Sequence, residues 1–382
     1  MNPNLPAPDL IAKEHSEHLQ MKIAAKIREE GPITFAHFMQ MALYEPGLGY
    51  YSAGARKFGV DGDFVTAPEI SPLFSQCLAN QCAEILRNLS GSSILEFGAG
   101  TGVMAKDILL SLHAQQILPE KYYIVEVSAD LRERQQTLLA ELDDALFKRV
   151  VWLDHLPEIF SGVILANEVL DAMPVNKFLV DEKIQEFYVD YVNNEFCWNM
   201  KAPHNPALID VIKKLPLFSP SRYEAEINLS HAPWMKALGE MMKKGVVILI
   251  DYGFPAREYY HPDRTCGTIM CHYQHRAHDN PLINVGIQDI TAHVDFTAIA
   301  EAACDAGFRV EGFVNQTTFL INCGLMDLFP LENELAQYRA SQEIKMLTLP
   351  SEMGELFKVM ALSKDYSEAL CGFNNMNQLM RL

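Results

Sequence analysis

The stretch Ile94-Leu-Glu-Phe-Gly-Ala-Gly-Thr-Gly102 sets an acid and three alternating glycines between an apolar run and a helical pattern. Gly98, Gly100 and Gly102 let the backbone turn sharply and let a ligand approach where a Cβ would block it. The helix that follows supplies unpaired N–H groups at its N-terminus. A dinucleotide fingerprint needs its third glycine one position later, where this chain has Val103. Glu96, just ahead of the turn, suits an ammonium and repels a diphosphate. The pattern therefore points to S-adenosylmethionine, whose amino-acid end and sulfonium are cationic. Val103 and Glu96 together disfavour a nicotinamide oxidoreductase. A plain glycine turn is the alternative without chemistry.

Further candidates fall where strands of an α/β sheet end, the usual place for ligands. Glu126 closes the run 122–127 and matches an acid that accepts ribose hydroxyls; the other reading is a surface carboxylate. Trp152 and Leu153 follow a third run, where an adenine would lie, although a core tryptophan fits equally. Asn167 and Glu168 follow a fourth run, with Asp171 close behind; Asp171 also suits a helix N-terminus. Methyl transfer depends mainly on orientation of nucleophile and methyl. Carboxylates near the methyl donor would supply that orientation by gripping the acceptor group. Glu168, Asp171, Asp251 and Glu224 are the candidates, Glu224 having a solvated insertion face as its other reading. His293 either lines a substrate entrance or caps a helix, and Tyr252 joins the substrate side. His272, His275 and His278 lie near Cys266 and Cys271, but their spacing matches no usual zinc pattern, and no metal is expected.

The elements that must carry these residues alternate. Helices are expected over 18–30, 33–43, 72–89, 103–112 and 296–307, with Thr34 an N-cap for the second. Strands are expected over 93–97, 122–127, 149–153, 163–166, 245–251, 308–313 and 317–322. This alternation predicts an α/β fold with a seven-stranded, mostly parallel, doubly wound sheet. Residues 186–200, with Asn193-Asn194 at their middle, read as an inserted hairpin. The segment 251–290 reads mostly as loop. The boundaries are a helical N-terminal cap and cofactor lid over 1–90 and a first core part over 91–182. An insertion of hairpin plus helix follows over 183–244, then a second core part over 245–324 and a helical C-terminal tail over 325–382.

The 382 residues carry 31 Lys+Arg against 49 Asp+Glu, a net charge of −18, which argues against nucleic acid or an anionic membrane as the main partner. A hydrophobic share of 49% excludes disorder along the whole chain. No apolar run reaches the roughly 18 residues that span a bilayer, so no membrane insertion is expected. The eight cysteines are dispersed without a CxxC pair, as in a reducing compartment. With no secretory signal or mitochondrial presequence in view, the chain is expected in a bacterial cytoplasm.

The segments 44–51 (YEPGLGYY), 62–74 (GDFVTAPEISPLF), 96–102, 167–171 (NEVLD), 250–253 (IDYG) and 289–296 (DITAHVDF) resemble the MidA family of S-adenosylmethionine-dependent methyltransferases. The resemblance runs from about residue 20 to 330. It implies a class I, Rossmann-like core, S-adenosylmethionine as cofactor, and methylation of arginine nitrogen in a protein substrate. Mitochondrial relatives assist respiratory complex I assembly, so a complex I-type subunit is an implied partner. The resemblance also implies that Gly62, Asp63, Thr66 and Pro68 cover the cofactor; a structural turn is the other reading. The alternative function is an assembly factor that binds cofactor without turnover.

Overall fold

The structure, a computed structural model, describes residues 5–53, 65–215, 222–330 and 333–382. The chain forms two compact units. One, here the sheet unit, comprises residues 65–170, 234–253 and 296–382. The other comprises the described parts of residues 1–64, 171–233 and 254–295.

In the sheet unit, seven strands follow one path. They are β1 (Ser93–Phe97), β2 (Tyr122–Val125), β3 (Val150–Leu153), β4 (Phe160–Asn167), β5 (Met242–Phe254), β6 (Arg309–Asn315) and β7 (Phe357–Lys364). Their spatial order is β6-β7-β5-β4-β1-β2-β3. The pairs β1–β2, β2–β3, β1–β4 and β4–β5 are parallel, whereas β7 is antiparallel to both β5 and β6. The sheet is thus mixed. Its order reverses between β1 and β4, and a crevice opens at the strand ends at such a point.

The expected strands up to β6 appear with small changes at their ends, but 317–322 does not form one. Gln316–Asn322 is a helix, and Asn315 caps it by accepting from the Thr318 N–H at 2.9 Å. The β-branched and aromatic residues there suggest a strand locally; the cap and the packing of Phe319 and Leu320 into the core override that preference. The strand that closes the sheet is β7, which lies inside the stretch expected to be a helical tail. Its residues 357–363 are all buried, as in a strand covered on both faces, with Lys358 and Ser363 the polar members beside the apolar run 359–362. The tail does contain the helix Glu334–Thr348.

Helices pack on this sheet through periodic apolar faces. Pro72–Asn88 starts with Ser71 as N-cap and proline at its first position, and buries Phe74, Cys77, Leu78, Cys82 and Ile85. Val103–Ala114 begins directly at the glycine turn and buries Met104, Ala105, Ile108, Leu109 and Leu112. Both contribute to one core with Ile94, Ile124, Val163 and Ile248.

The second unit holds a five-stranded antiparallel sheet. Ile33–Thr34, Ile184–Val192, Asn176–Val180 and Tyr223–Ile227 lie in that order, and Glu195–Lys201 pairs with Ile184–Val192. The expected hairpin is present. Asn193 and Asn194 both have positive φ, 52° and 65°, as a two-residue hairpin turn with the right twist requires. The helix Phe35–Tyr44 is capped by Thr34 and packs Phe35 and Phe38 against Trp198 and Phe196. Within 251–290, expected as loop, Met270–Tyr273, Arg276–His278 and Asp289–Thr291 form a three-stranded sheet. Short strands paired only with one another leave little periodicity to detect.

Two neighbouring positions in one row of the main sheet, Gly162 and Gly245, leave no room for a Cβ. Ser93, Gly162 and Gly245 lie side by side on β1, β4 and β5. A Cβ on Gly162, at φ +139°, would stand 1.9 Å from the Ser93 carbonyl oxygen. Gly162→Ala is expected to destabilise the protein by about 3 kcal/mol or more, through overpacking and a backbone conformation that L side chains avoid. Urea unfolding with an unchanged midpoint would contradict this account.

Candidate active site

Glu96 stands at the end of β1 with no solvent exposure. The Tyr122 hydroxyl donates to its Oε2 at 2.6 Å, while Oε1 has no hydrogen-bond partner among the described residues. Burial pushes this carboxyl up to about 7; the Tyr122 hydrogen bond acts the other way, and the Glu126 charge adds to the rise. Beyond it Gly98, Gly100 and Gly102 have φ of 62°, 54° and 90°. A Cβ on Gly100 would meet nothing within 4 Å, so that position of the loop borders open space. The Thr101 hydroxyl donates to the Glu69 carboxylate, which ties the short helix Ala67–Ile70 to the glycine loop. Thr66 and Pro68, expected near the cofactor, sit on and just before that helix, Pro68 buried. Gly62 and Asp63 lie outside the described residues.

At the end of β2, Glu126 is half-buried, and its Oε1 accepts from the Ser128 N–H at 2.8 Å. Trp152 and Leu153, at the end of β3, are also half-buried. The Trp152 indole N–H donates at 2.9 Å to Gln135, whose amide in turn donates to Glu126 Oε2 at 3.0 Å. Gln135 is the residue that sequence reasoning missed. It lies on the helix Ala129–Leu139, among several polar residues whose types do not set it apart.

Asn167 and Glu168 follow β4, next to Asp251 of β5. Glu168 has φ +53°, a conformation that costs a non-glycine residue and gathers at functional sites. Its N–H donates to the Ile250 carbonyl at 2.9 Å, and the Asn167 amide donates to its Oε1 at 3.1 Å. Asp251 is 1% exposed and accepts the Leu170 N–H at 3.0 Å and the Tyr252 N–H at 2.9 Å. Both its oxygens therefore hold backbone, fixing the turn that carries Glu168. The Tyr252 ring packs edge-on to Phe357 at 5.4 Å.

The structure brings Glu96, the three glycines, Glu126, Trp152, Leu153, Asn167, Glu168, Asp251 and Tyr252 onto one unit. Asp171, Glu224 and His293 belong to the other. Asp171 is 4% exposed, and its carbonyl accepts the Ala292 N–H at 3.0 Å. Glu224 bridges Arg222 at 2.7 Å and Lys177 at 3.3 Å, on the last strand in the order of the antiparallel sheet. His293 stacks on Phe254 with centroids 5.3 Å apart.

The sheet unit fits S-adenosylmethionine. It offers an orphaned buried carboxylate oxygen at Glu96, an open glycine turn opening a helix, and an acid and an indole at the next two strand ends. Comparison with known proteins agrees. Residues 77–314 match the family described as "Putative S-adenosyl-L-methionine-dependent methyltransferase". The chain is 31% identical to the Drosophila melanogaster "Protein arginine methyltransferase NDUFAF7 homolog, mitochondrial", over 95% of this chain and 89% of that protein. The Homo sapiens "Protein arginine methyltransferase NDUFAF7, mitochondrial" is 28% identical over 88% of this chain and 81% of its own. A crystal structure from Burkholderia thailandensis bound to S-adenosyl-homocysteine is 39% identical, covers 99% of this chain and 100% of that one, and superposes with a TM-score of 0.95. This chain belongs to that family of S-adenosylmethionine-dependent methyltransferases.

The raised Glu96 carboxyl makes stability pH-dependent. A group that binds its proton more tightly when folded contributes fully below its ordinary value of 4.5, and that contribution is lost as pH climbs through about 7. Asp107, raised by burial to about 6, acts with the same sign and is unchanged by mutation elsewhere. Glu96→Gln is therefore expected to gain about 3 kcal/mol over the parent between acid and about pH 8. Chemical unfolding of both proteins across this range checks it; parallel curves would overturn the assignment.

Proposed function

We propose that this protein transfers a methyl group from S-adenosylmethionine to an arginine nitrogen of a protein substrate. The relatives' names support arginine as the acceptor. The observation that carries the reading is Glu168, a carboxylate held at positive φ beside Asn167, at the strand ends where the sheet order reverses. In finer detail, we read the sheet as the class I, Rossmann-like methyltransferase arrangement.

In this reading Glu96 and the turn of Gly98, Gly100 and Gly102 hold the cofactor's amino-acid end. The orphaned Oε1 accepts from the ammonium, and the glycines allow close backbone approach. Glu126 accepts from the ribose hydroxyls, Trp152 and Leu153 flank the adenine, and Asn167 borders the same crevice. Thr66 and Pro68, with Gly62 and Asp63, cover it. Bound there, S-adenosylmethionine supplies an electrophilic methyl on a sulfonium. Glu168 would accept an N–H from the guanidinium and orient its plane, so that one nitrogen faces the methyl; as that nitrogen gains the methyl it gives up a proton to Glu168 or solvent, leaving S-adenosyl-homocysteine as the other product. Asp251 acts through the backbone it grips, holding the turn in which Glu168 sits. Tyr252 is placed on the substrate side, and Asp171, Glu224 and His293 remain candidates for substrate contacts made by the second unit. Glu224 is the weakest of these, because two cations already neutralise it.

The resemblance to a family whose mitochondrial members assist complex I assembly makes a respiratory-complex subunit the first substrate to test. No helix among the described residues is long and apolar enough to cross a membrane. Cytoplasm is the location proposed here, in keeping with the eight free cysteines.

Glu168→Gln keeps the size of the side chain and removes its charge. It is expected to bind S-adenosyl-homocysteine with unchanged affinity and to lose at least about a hundredfold in transfer, the scale seen when one aligned electrostatic contact is removed. Calorimetry and transfer of labelled methyl into host extract measure the two; collapse of both would assign Glu168 to the cofactor instead. Parent protein that labels no band in any extract would refute the proposed activity. Mass spectrometry of methylarginine in parent and deletion cells names the substrate.

A further inference from the structure

Gln135, on the helix Ala129–Leu139, has no solvent exposure, yet its amide meets three separate segments of the sheet unit. Its Nε2 donates to the Gly100 carbonyl at 2.9 Å and to Glu126 Oε2 at 3.0 Å. Its Oε1 accepts from the Trp152 indole N–H at 2.9 Å. The chemistry of the three partners fixes the amide's orientation. An indole nitrogen can only donate, and a carbonyl and a carboxylate can only accept. Turning the amide over would face donor to donor and acceptor to acceptor at all three contacts. Only a primary amide has two donors and an acceptor on one terminus, so glutamate, methionine and leucine each fail somewhere. The methylenes are held too: a Cβ on Gly102 would press on Gln135 Cγ at 3.3 Å.

We infer that Gln135 is a positioning residue for the adenosine half of the cofactor. It touches neither substrate nor cofactor in this account. It aims the Glu126 carboxylate and sets the Trp152 ring, the two surfaces that meet adenosine, and ties both to the glycine turn, so the three segments keep one mutual geometry. A buried donor–acceptor network of this kind is rigid when satisfied and costly when broken. The inference rests on the proposed placement of ribose at Glu126 and adenine at Trp152, and the experiment separates the two.

The test compares Gln135→Met, which keeps the length and loses every polar contact, with Gln135→Glu, which keeps the indole's acceptor and loses both donors. Two ligands are titrated by calorimetry: S-adenosyl-homocysteine, and 5′-methylthioadenosine, which lacks the amino-acid end. Either folded variant is expected to weaken both ligands by about ten- to hundredfold, S-adenosyl-homocysteine at least as much as 5′-methylthioadenosine. In turnover, KM for the cofactor rises while kcat at saturation changes little. The chain has three tryptophans, so the indole N–H region of the NMR spectrum separates Trp152 from Trp198 and Trp234. In ligand-free variants only the Trp152 signal is expected to move; in the parent protein both ligands displace it.

A folded variant that binds both ligands like the parent overturns the inference, as does one that weakens S-adenosyl-homocysteine while leaving 5′-methylthioadenosine untouched. Should neither variant fold, a Trp152 signal that neither ligand moves in the parent overturns it as well. Glu126→Ala serves as control. If it binds both ligands normally, the placement of the ribose has failed, whatever the Gln135 variants do.

Discussion

The parallel contact between β1 and β4 is the constraint on which the rest of the sheet unit depends. Phe97 lies opposite Ala166 in this pair, so Glu96 with its glycine turn and Asn167 with Glu168 leave the sheet side by side. The chain runs outward from β1 to β3 on one flank, then returns to place β4 on the other. A crevice at their ends follows from that reversal, because the two connections depart in opposite directions. The close approach of Ser93, Gly162 and Gly245 across three strands belongs to the same constraint. A side chain on Gly162 or Gly245 would push these strands apart and disturb the relative position of their ends.

Polar groups buried around those ends set the direction of the exposed ones. Tyr122 holds one oxygen of Glu96, and Asp251 gives both its oxygens to backbone N–H groups of the turn around Glu168. Gln135 joins the glycine turn, Glu126 and Trp152. Each is fully or almost fully buried, where an unmade hydrogen bond is expensive, so each locks a geometry that solvent-exposed side chains could not hold. In the proposed reaction this matters more than acid–base chemistry, since methyl transfer is governed by alignment.

Much of the fold was legible because its signals are local. The strand ends at Glu96 and Glu126, the glycine turn, the cap at Thr34 and the Asn193-Asn194 hairpin each rest on a few consecutive residues. What misled was also local. Residues 316–322 look like a strand by type, but a cap at Asn315 and a core waiting for Phe319 make them helical. The strand Phe357–Lys364 has the apolar run that marked β5, yet it follows a helical stretch and takes its antiparallel place only because β5 and β6 leave a gap between them. The three short strands within 270–291 have only three or four residues each, and the two-residue turn Gln274-His275, at φ 47° and 59°, lacks the Asn or Gly that marks such a turn in a sequence.

The sequence by itself determined the class of ligand and the candidate residues for holding it: an acid before a glycine turn, and acids and an indole at successive strand ends, are read from type and spacing alone. Tertiary structure alone decided which carboxylates are turned inward to hold backbone, as at Asp251, and which is held in a left-handed turn, as at Glu168. It also decided that Gln135 joins three segments. The reason is physical. Side-chain hydrogen bonds in the interior depend on the register of strands distant in sequence, and a one-residue shift in register would give every one of these groups a different partner.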